Sequence, residues 1–438
     1  LHDGNFCMDG LVFPDRTPHT GLLEYKNVYR PVRVVSYNQE TGKLVLHNYL
    51  DFDDLKDYLE IRFEVSRDGW PIQKGKLPSF SVKPHADGIT ELNIAIPDQG
   101  KIYLKLIYRL KKETPFLNKN FILGFDEILL KNEDGRNLRT LDLLERTEQL
   151  KEIQVFETDT QVILKAKDFT YTLDRRTGLF EQIQFVGRNY LNHPMQLNIW
   201  RAPTDNDMYQ KAEWKKARYD KAYTRAYSVE TIQNMHGIFI VSHVAVVADS
   251  IQKILDVTIN WKIDNDGKLR SVMHVEKDDE FPVLPRFGIR MFLDKRLKNV
   301  TFYGLGPQES YRDKHQGTFH GLFHTKVKDL HEDYIRPQEN GSHFDCDFVE
   351  LSAAQFGLAA TAEETFSFNA SCYTQETLEQ TRHNFELQES DSVILCLDYA
   401  LNGIGSNSCG PALLEKYRFD DTSFQFTFTL VPFSKGSK

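Results

Sequence analysis

Apolar and polar residues alternate with a period of two over most of the chain. Leu59, Ile61, Phe63 and Val65 are interleaved with Glu60, Arg62 and Glu64, as expected for a strand with one face in a core and the other in water. Arg67-Asp68-Gly69-Trp70 carries the Asp-Gly signal of a tight hairpin, and apolar runs recur at 92–96, 102–110 and 121–130. Short strands at this spacing predict a β-sandwich in the first third of the chain. Residues 131–152 break the pattern with Asn132-Glu133-Asp134-Gly135 and a charged stretch, which reads as an interdomain crossing.

From Gln154 the alternation resumes. It covers 162–173, with a turn at Arg175-Arg176-Thr177-Gly178, and 238–247. A hairpin follows in which Leu255, Val257, Ile259, Trp261 and Ile263 alternate, Asn265-Asp266-Gly267 reverses the chain, and 269–275 returns. Helix is expected in this half only at 211–225 and 374–383, the latter capped by Thr374 with Glu376 and Glu379 near the positive end of its dipole. So many strands exceed one small sandwich and predict a large two-sheet domain. No internal repeat is present, which excludes solenoids.

Composition narrows the class of function. At 438 residues the chain exceeds a single ordinary domain. Lys and Arg number 54 against 63 Asp and Glu, a net charge of −9, which argues against nucleic acid or an anionic membrane as partner. No apolar run reaches the roughly 20 residues of a membrane span, and the N-terminus has no basic-then-apolar signal pattern, so a cytoplasmic protein is expected. The chain starts at Leu1 rather than Met and reads as a fragment. Five scattered cysteines (Cys7, Cys346, Cys372, Cys396, Cys409) form no CxxC pair and read as reduced, packed thiols.

Five segments concentrate Gly, Pro, Asn and acids beyond what turns require. They are Phe6 to His19 (FCMDGLVFPDRTPH), Arg201 to Asp207 (RAPTDND), Tyr303 to Glu309 (YGLGPQE), Arg336 to Gly341 (RPQENG) and Gly403 to Pro411 (GIGSNSCGP). In this order they resemble the C-terminal portion of the large bacterial β-galactosidases of glycoside hydrolase family 2. The resemblance implies a mainly β chain: the tail of a catalytic (β/α)8 barrel at 1–27, an immunoglobulin-like β-sandwich at 28–136, a linker at 137–152 and a large galactose-mutarotase-like super-sandwich at 153–438.

It also implies a parent enzyme that hydrolyses terminal β-D-galactose residues with retention. That chemistry needs two carboxylates flanking the bond, which the family supplies from barrel strands upstream of Leu1, so no catalytic residue is expected here and the fragment alone should be inactive. Of the acids in the five segments, Asp205 and Asp207 read as turn-capping residues, and Glu309 and Glu339 as salt-bridge or loop-fixing residues. By the resemblance, the carbonyl of Phe6 and the side chain of Asp9 are ligands of a monovalent cation, Na+ or K+. Asp9 stands where a well-known branch has Asn, and Asp9-Gly10 also reads as a plain turn. The parent enzyme would use Mg2+ as well, with no cofactor bound by the fragment alone.

In some family members a tryptophan of the last segment stacks on the sugar. Cys409 stands there in this chain, which leaves contact through Asn407, Ser408 and Cys409, or a purely structural loop. Implied partners are the N-terminal part of the same β-galactosidase, a galactoside such as lactose, and further copies of the chain. Two rival readings stand beside this one: a carbohydrate-binding module using Trp200, Trp214 and Trp261 as stacking platforms, although the alternation of Trp261 with Ile259 and Ile263 places it in the core, and a mutarotase-like isomerase, for which His274, His343 and His383 offer no assignable acid/base pair.

Overall fold

The computed structural model describes residues 11–132, 137–145, 152–234, 237–405 and 410–434. It divides into two compact units: unit 1 comprises 1–139 together with His315–Leu322, and unit 2 comprises Thr140–Lys314 and Phe323–Lys438.

Unit 1 contains helices α1 (Thr20–Val28) and α2 (Leu55–Tyr58) and seven strands: β1 (Val32–Tyr37), β2 (Lys43–Asn48), β3 (Leu59–Arg67), β4 (Trp70–Lys76), β5 (Asp87–Glu91), β6 (Lys101–Leu110) and β7 (Ile122–Asn132). They form two antiparallel sheets, β1-β2-β5 and β4-β3-β6-β7. The predicted alternation holds in β3, where Leu59, Ile61 and Val65 are buried. They share one core with Val32, Leu44, Leu46, Leu104, Leu106 and Tyr108, so the two sheets make a sandwich. Asp68 and Gly69 both take positive φ, 52° and 83°, in the β3–β4 turn, the geometry for which Asp-Gly is selected.

The run at 92–96 is a correction: β5 ends at Glu91. Its partner β2 begins at Lys43, opposite Glu91; the Leu92 N–H still donates to the Gly42 carbonyl (2.7 Å), but Gly42 turns to a positive φ of 66° and the ladder ends there, with Leu92 in the core. Helix α1 and the His315–Leu322 segment were not foreseen. The Glu24 carboxylate of α1 accepts the backbone N–H groups of His315 (3.1 Å), Gln316 (2.7 Å) and Gly317 (2.6 Å).

Unit 2 carries α3 (Leu138–Leu144) at its start, within the stretch read as a crossing, then α4 (Gln210–Lys216) and α5 (Gln375–Gln380). Its first sheet is β8 (Gln154–Glu157), β9 (Gln161–Lys165), β10 (Phe169–Asp174), β11 (Leu179–Phe185) and β12 (Arg188–Asn189), neighbours in chain order. The other strands are β13 (Leu191–Asn198), β14 (Tyr223–Asn234), β15 (Gly237–Ala248), β16 (Ile251–Ile263), β17 (Leu269–Lys277), β18 (Arg286–Asp294), β19 (Asn299–Gly306), β20 (Phe319–Lys326, of which Phe323–Lys326 belong to unit 2), β21 (Ser342–Ser352), β22 (Phe356–Ser371), β23 (Ser392–Leu401) and β24 (Ser423–Ser434). Among the described residues they make a 12-stranded sheet in the order β13-β18-β23-β22-β24-β17-β16-β15-β14, with β19, β20 and β21 off that path.

The chain is therefore mainly β, with a sandwich followed by a far larger sheet domain. The predicted β16–β17 hairpin forms, with Ile263 opposite Leu269. Thr374 caps α5, its side chain accepting from the Thr377 N–H. The helix expected over 211–225 is shorter: α4 stops at Lys216, and Arg218 turns to a positive φ of 58°. Tyr223 then pairs with Val247 in β15, so sheet pairing overrides the local helical pattern.

Candidate functional site: a buried polar cluster joining four loops

The last four of the five singled-out segments, separated by up to two hundred residues, meet in unit 2. The Glu339 N–H donates to the Ala202 carbonyl (2.9 Å) and the Asp205 N–H to Gln338 Oε1 (3.1 Å), which ties 201–207 to 336–341. Asn206 Nδ2 donates to the Ile404 carbonyl (3.0 Å) and Arg201 Nη2 to the Gly403 carbonyl (3.0 Å), which ties 201–207 to the start of 403–411. The Gly341 N–H donates to Glu309 Oε2 (2.7 Å), joining 336–341 to 303–309.

Charged side chains fill the junction. Arg201, fully buried, is bidentate on Asp207, with Nε to Oδ2 at 3.1 Å and Nη2 to Oδ1 at 2.7 Å. Arg286 of β18 is bidentate on Asp398 of β23, Nε to Oδ1 at 2.9 Å and Nη2 to Oδ2. Glu309 accepts from Lys314 Nζ (2.6 Å) and Tyr334 Oη (2.7 Å). These three pairs are each matched and hydrogen-bonded, the condition for tolerating charge in a low-dielectric interior. Gly288 lets the strands close over the Arg286–Asp398 pair: a Cβ there would lie 2.0 Å from the Leu397 carbonyl oxygen and 2.7 Å from Asp398 Oδ1.

Glu339 is the surplus charge. Three cations (Arg201, Arg286, Lys314) face four carboxylates (Asp207, Asp398, Glu309, Glu339), and Glu339 has only a long 3.4 Å contact from Arg286 Nη1 on Oε2, while Oε1 is buried without a partner. Burial pushes its carboxyl up to about 7, outweighing the pull of Arg286 and Arg201. Burial opposes ionisation of Glu309 too, but Lys314, the Gly341 amide and Tyr334 outweigh it, and that carboxyl stays below its ordinary value. His343 is buried with Nδ1 on the Leu305 carbonyl (3.1 Å), and burial lowers it to about 4.

These positions decide several expectations. Asp207, Glu309 and Glu339 are sealed from solvent: Asp207 accepts the Thr204 N–H (2.8 Å) and pairs with Arg201, and Glu309 pairs with Lys314. Asp205 is half-buried and contributes its backbone N–H to the junction. The aromatic-platform reading is overturned: Trp200, Trp214 and Trp261 are buried, and their indole N–H groups donate to Glu379 Oε2, the Val283 carbonyl and the Gly178 carbonyl. Of the three histidines, His274 is exposed and His383 pairs with Glu386 on the surface. Phe6, Asp9, Asn407, Ser408 and Cys409 lie outside the described residues. Among the described residues no group of three or more His, Cys, Asp and Glu could hold a metal ion.

Arg286 and Asp398 were missed. Part of their signal was legible: Asp398 is the single charge inside the otherwise apolar strand SVILCLDYAL, and Arg286 opens the mostly apolar strand RFGIRMFLD, which also carries Arg290 and Asp294. Such charges are rarely buried unless paired, so two of opposite sign invite pairing.

Comparison with known families agrees with the order of the segments. The family described as beta galactosidase small chain matches residues 165–430. The chain belongs to this family. Domain 4 of beta-galactosidase matches 44–131, and the TIM barrel domain of the family 2 glycosyl hydrolases matches 1–34, so the chain corresponds to the C-terminal portion of a family 2 β-galactosidase. It is 42% identical to the β-galactosidase of Actinobacillus pleuropneumoniae over 98% of this chain and 42% of that protein. It is 36% identical to that of Staphylococcus xylosus, over 98% and 43% respectively. The chain thus spans about two fifths of the length of these relatives. Among solved structures, the galactose 1-epimerase of Lactobacillus acidophilus NCFM aligns with 65% of this chain and 99% of its own, at 9% identity and a TM-score of 0.37.

Proposed function

We propose that this chain is the non-catalytic C-terminal part of an enzyme that hydrolyses terminal β-D-galactose residues, with a galactoside such as lactose as substrate. The alignment of nearly the whole chain with β-galactosidases at up to 42% identity carries this reading. The cluster supports the division of labour: its sealed carboxylates include no pair open to a glycosidic bond, whereas hydrolysis needs two carboxyl groups flanking that bond with access to water. Unit 2 supplies instead a junction that holds the start of the last segment through Arg201 and Asn206, and Asn407, Ser408 and Cys409 are the proposed sugar-facing residues. The domain reading remains 1–27 barrel tail, 28–136 sandwich, 137–152 linker and 153–438 super-sandwich.

The reading includes the N-terminal part of the same protein and further copies of the chain as partners, with Mg2+ and a monovalent cation as cofactors of the whole. The carbonyl of Phe6 and the carboxylate of Asp9 are hard oxygen donors of the kind such ions take. A cytoplasmic location accords with the free thiols of Cys346, Cys372 and Cys396. No helix among the described residues is long and apolar enough to cross a membrane.

The test is hydrolysis of a chromogenic β-galactoside by the purified chain alone and after mixing with the remaining N-terminal portion of the Actinobacillus relative. Turnover only in the mixture is expected. Turnover by the chain alone overturns the non-catalytic assignment, and an inactive mixture counts against assembly.

A further inference from the structure

Asn-Gly is a pair prone to lose ammonia in water, because glycine lacks the Cβ that would keep its backbone nitrogen away from the asparagine side-chain carbon. The sequence holds two such pairs, Asn340-Gly341 and Asn402-Gly403. Neither is an exposed turn: all four residues are buried in the polar junction of unit 2.

The fold requires both members of each pair. Gly341 takes a positive φ of 71°, and a Cβ there would lie 2.5 Å from the Leu330 carbonyl oxygen. A Cβ on Gly403 would lie 2.8 Å from Asp313 Oδ2, whose carboxylate also accepts the Ile404 (3.1 Å) and Gly405 (2.8 Å) N–H groups, a nest of backbone donors filled by a side chain. Each asparagine uses both ends of its amide. Asn340 Oδ1 accepts the Glu332 N–H (3.0 Å) and its Nδ2 donates to the Gln338 carbonyl (2.8 Å). Asn402 Oδ1 accepts the Phe419 N–H (3.0 Å) and its Nδ2 donates to Gln210 Oε1 (3.0 Å). An apolar replacement at either position would strand buried backbone groups.

The same contacts guard the pairs chemically. Loss of ammonia requires the glycine N–H to give up its proton and its nitrogen to reach the asparagine Cγ. The Gly341 N–H donates instead to Glu309 Oε2 (2.7 Å), where losing the proton would set a second negative charge against the first. The Gly403 N–H donates to the Tyr417 carbonyl (3.0 Å). With both ends of each side-chain amide held, neither Cγ is free to turn toward the glycine nitrogen.

We propose that Asn340 and Asn402 are deamidation sites closed by the buried junction. When the junction opens, the glycine nitrogen bonds to the asparagine Cγ, the Cγ–Nδ2 bond breaks and ammonia leaves with the amide proton. Water then opens the succinimide to aspartate or isoaspartate. The product opposes reclosure: a new carboxylate joins a cluster already one acid in excess, its second oxygen at 340 faces the Gln338 carbonyl oxygen where a donor stood, and isoaspartate lengthens the backbone by one methylene. Opening of the junction thereby becomes irreversible loss of the fold.

The purified chain is incubated at pH 8, folded and in guanidinium chloride, and each pair is followed by mass spectrometry of a digest, with isoaspartate labelled by an isoaspartyl methyltransferase. Both sites should react at least about tenfold more slowly in the folded chain; a smaller difference at either site overturns the proposal. Gln210→Ala removes the acceptor of Asn402 Nδ2 at the start of α4, and should speed reaction at Asn402 several-fold while leaving Asn340 unchanged. An unchanged rate at Asn402 overturns the assignment of its guard. The product is mimicked by Asn340→Asp, which should lower the thermal midpoint at pH 8 by about 5 °C or more. Asn402→Asp should lower it less, because Gln210 can turn its NH2 group toward the new oxygen. A smaller fall for Asn340→Asp overturns the claim that modification prevents reclosure.

Discussion

Glu339→Gln tests whether the buried cluster contains one carboxyl group too many. In the folded protein burial pushes the Glu339 carboxyl up from 4.5 to about 7. Between these values the folded state carries a proton that the unfolded chain lacks, so stability falls as pH rises. Below pH 4.5 both states are protonated and the group contributes nothing. Above about pH 7 both are ionised and the whole penalty is present. At about 1.4 kcal/mol per pH unit, the span from 4.5 to 7 amounts to roughly 3 kcal/mol. Glutamine keeps the shape and an oxygen for Arg286 Nη1 but cannot ionise, so it removes the pH-dependent term. Urea unfolding followed by indole fluorescence reports on unit 2, because its three tryptophans Trp200, Trp214 and Trp261 are all buried. From pH 5 to pH 8 the variant should gain about 3 kcal/mol relative to wild type. Parallel pH profiles for the two proteins would refute the reasoning, because they would place the Glu339 proton off the folded protein throughout this range and make Arg286 its full counter-ion.

Arg286→Met strands the fully buried Asp398 beside Glu339, and should cost on the order of 3–5 kcal/mol by the same urea assay. A loss under 1 kcal/mol would mean that Asp398 takes up a proton or finds water. Glu24→Ala removes the acceptor of three backbone N–H groups in unit 1; a loss of about 2–4 kcal/mol is expected, with proteolysis at 315–317 accelerated, and unchanged resistance would contradict it. Tyr108 Oη donates to Asp126 Oδ2 (2.5 Å), which also accepts the Val34 N–H (3.0 Å). Tyr108→Phe should cost about 1–2 kcal/mol in thermal unfolding, and a neutral result would show that Asp126 is satisfied by its remaining donors.

Strands and tight turns were legible in the linear sequence because the forces that select them act over a few residues. Alternation in Leu59–Val65 and Leu255–Ile263 follows from the two-residue repeat of a pleated strand, and Asp68-Gly69 supplies the left-handed conformations that a two-residue hairpin demands. The alternation of Trp261 with Ile259 and Ile263 already placed it inside. The unusual composition of four segments marked them as belonging together, and the order of all five was sufficient to indicate the family.

Where those segments meet was decided only in three dimensions. Whether Glu339 is a surface acid or a sealed one with its carboxyl pushed up by burial depends on where the sheet places it, beside an Arg286, 53 residues away, that is already committed to Asp398, 112 residues from it. Whether Gly403 and Gly405 mark a flexible loop or a nest depends on Asp313, about ninety residues earlier. Charge pairing and burial act through space and leave no periodic trace along the chain. The alternation of side chains therefore determined the strands, and the folding of the large sheet alone determined which charges are paired, which is left over, and which backbone each one holds.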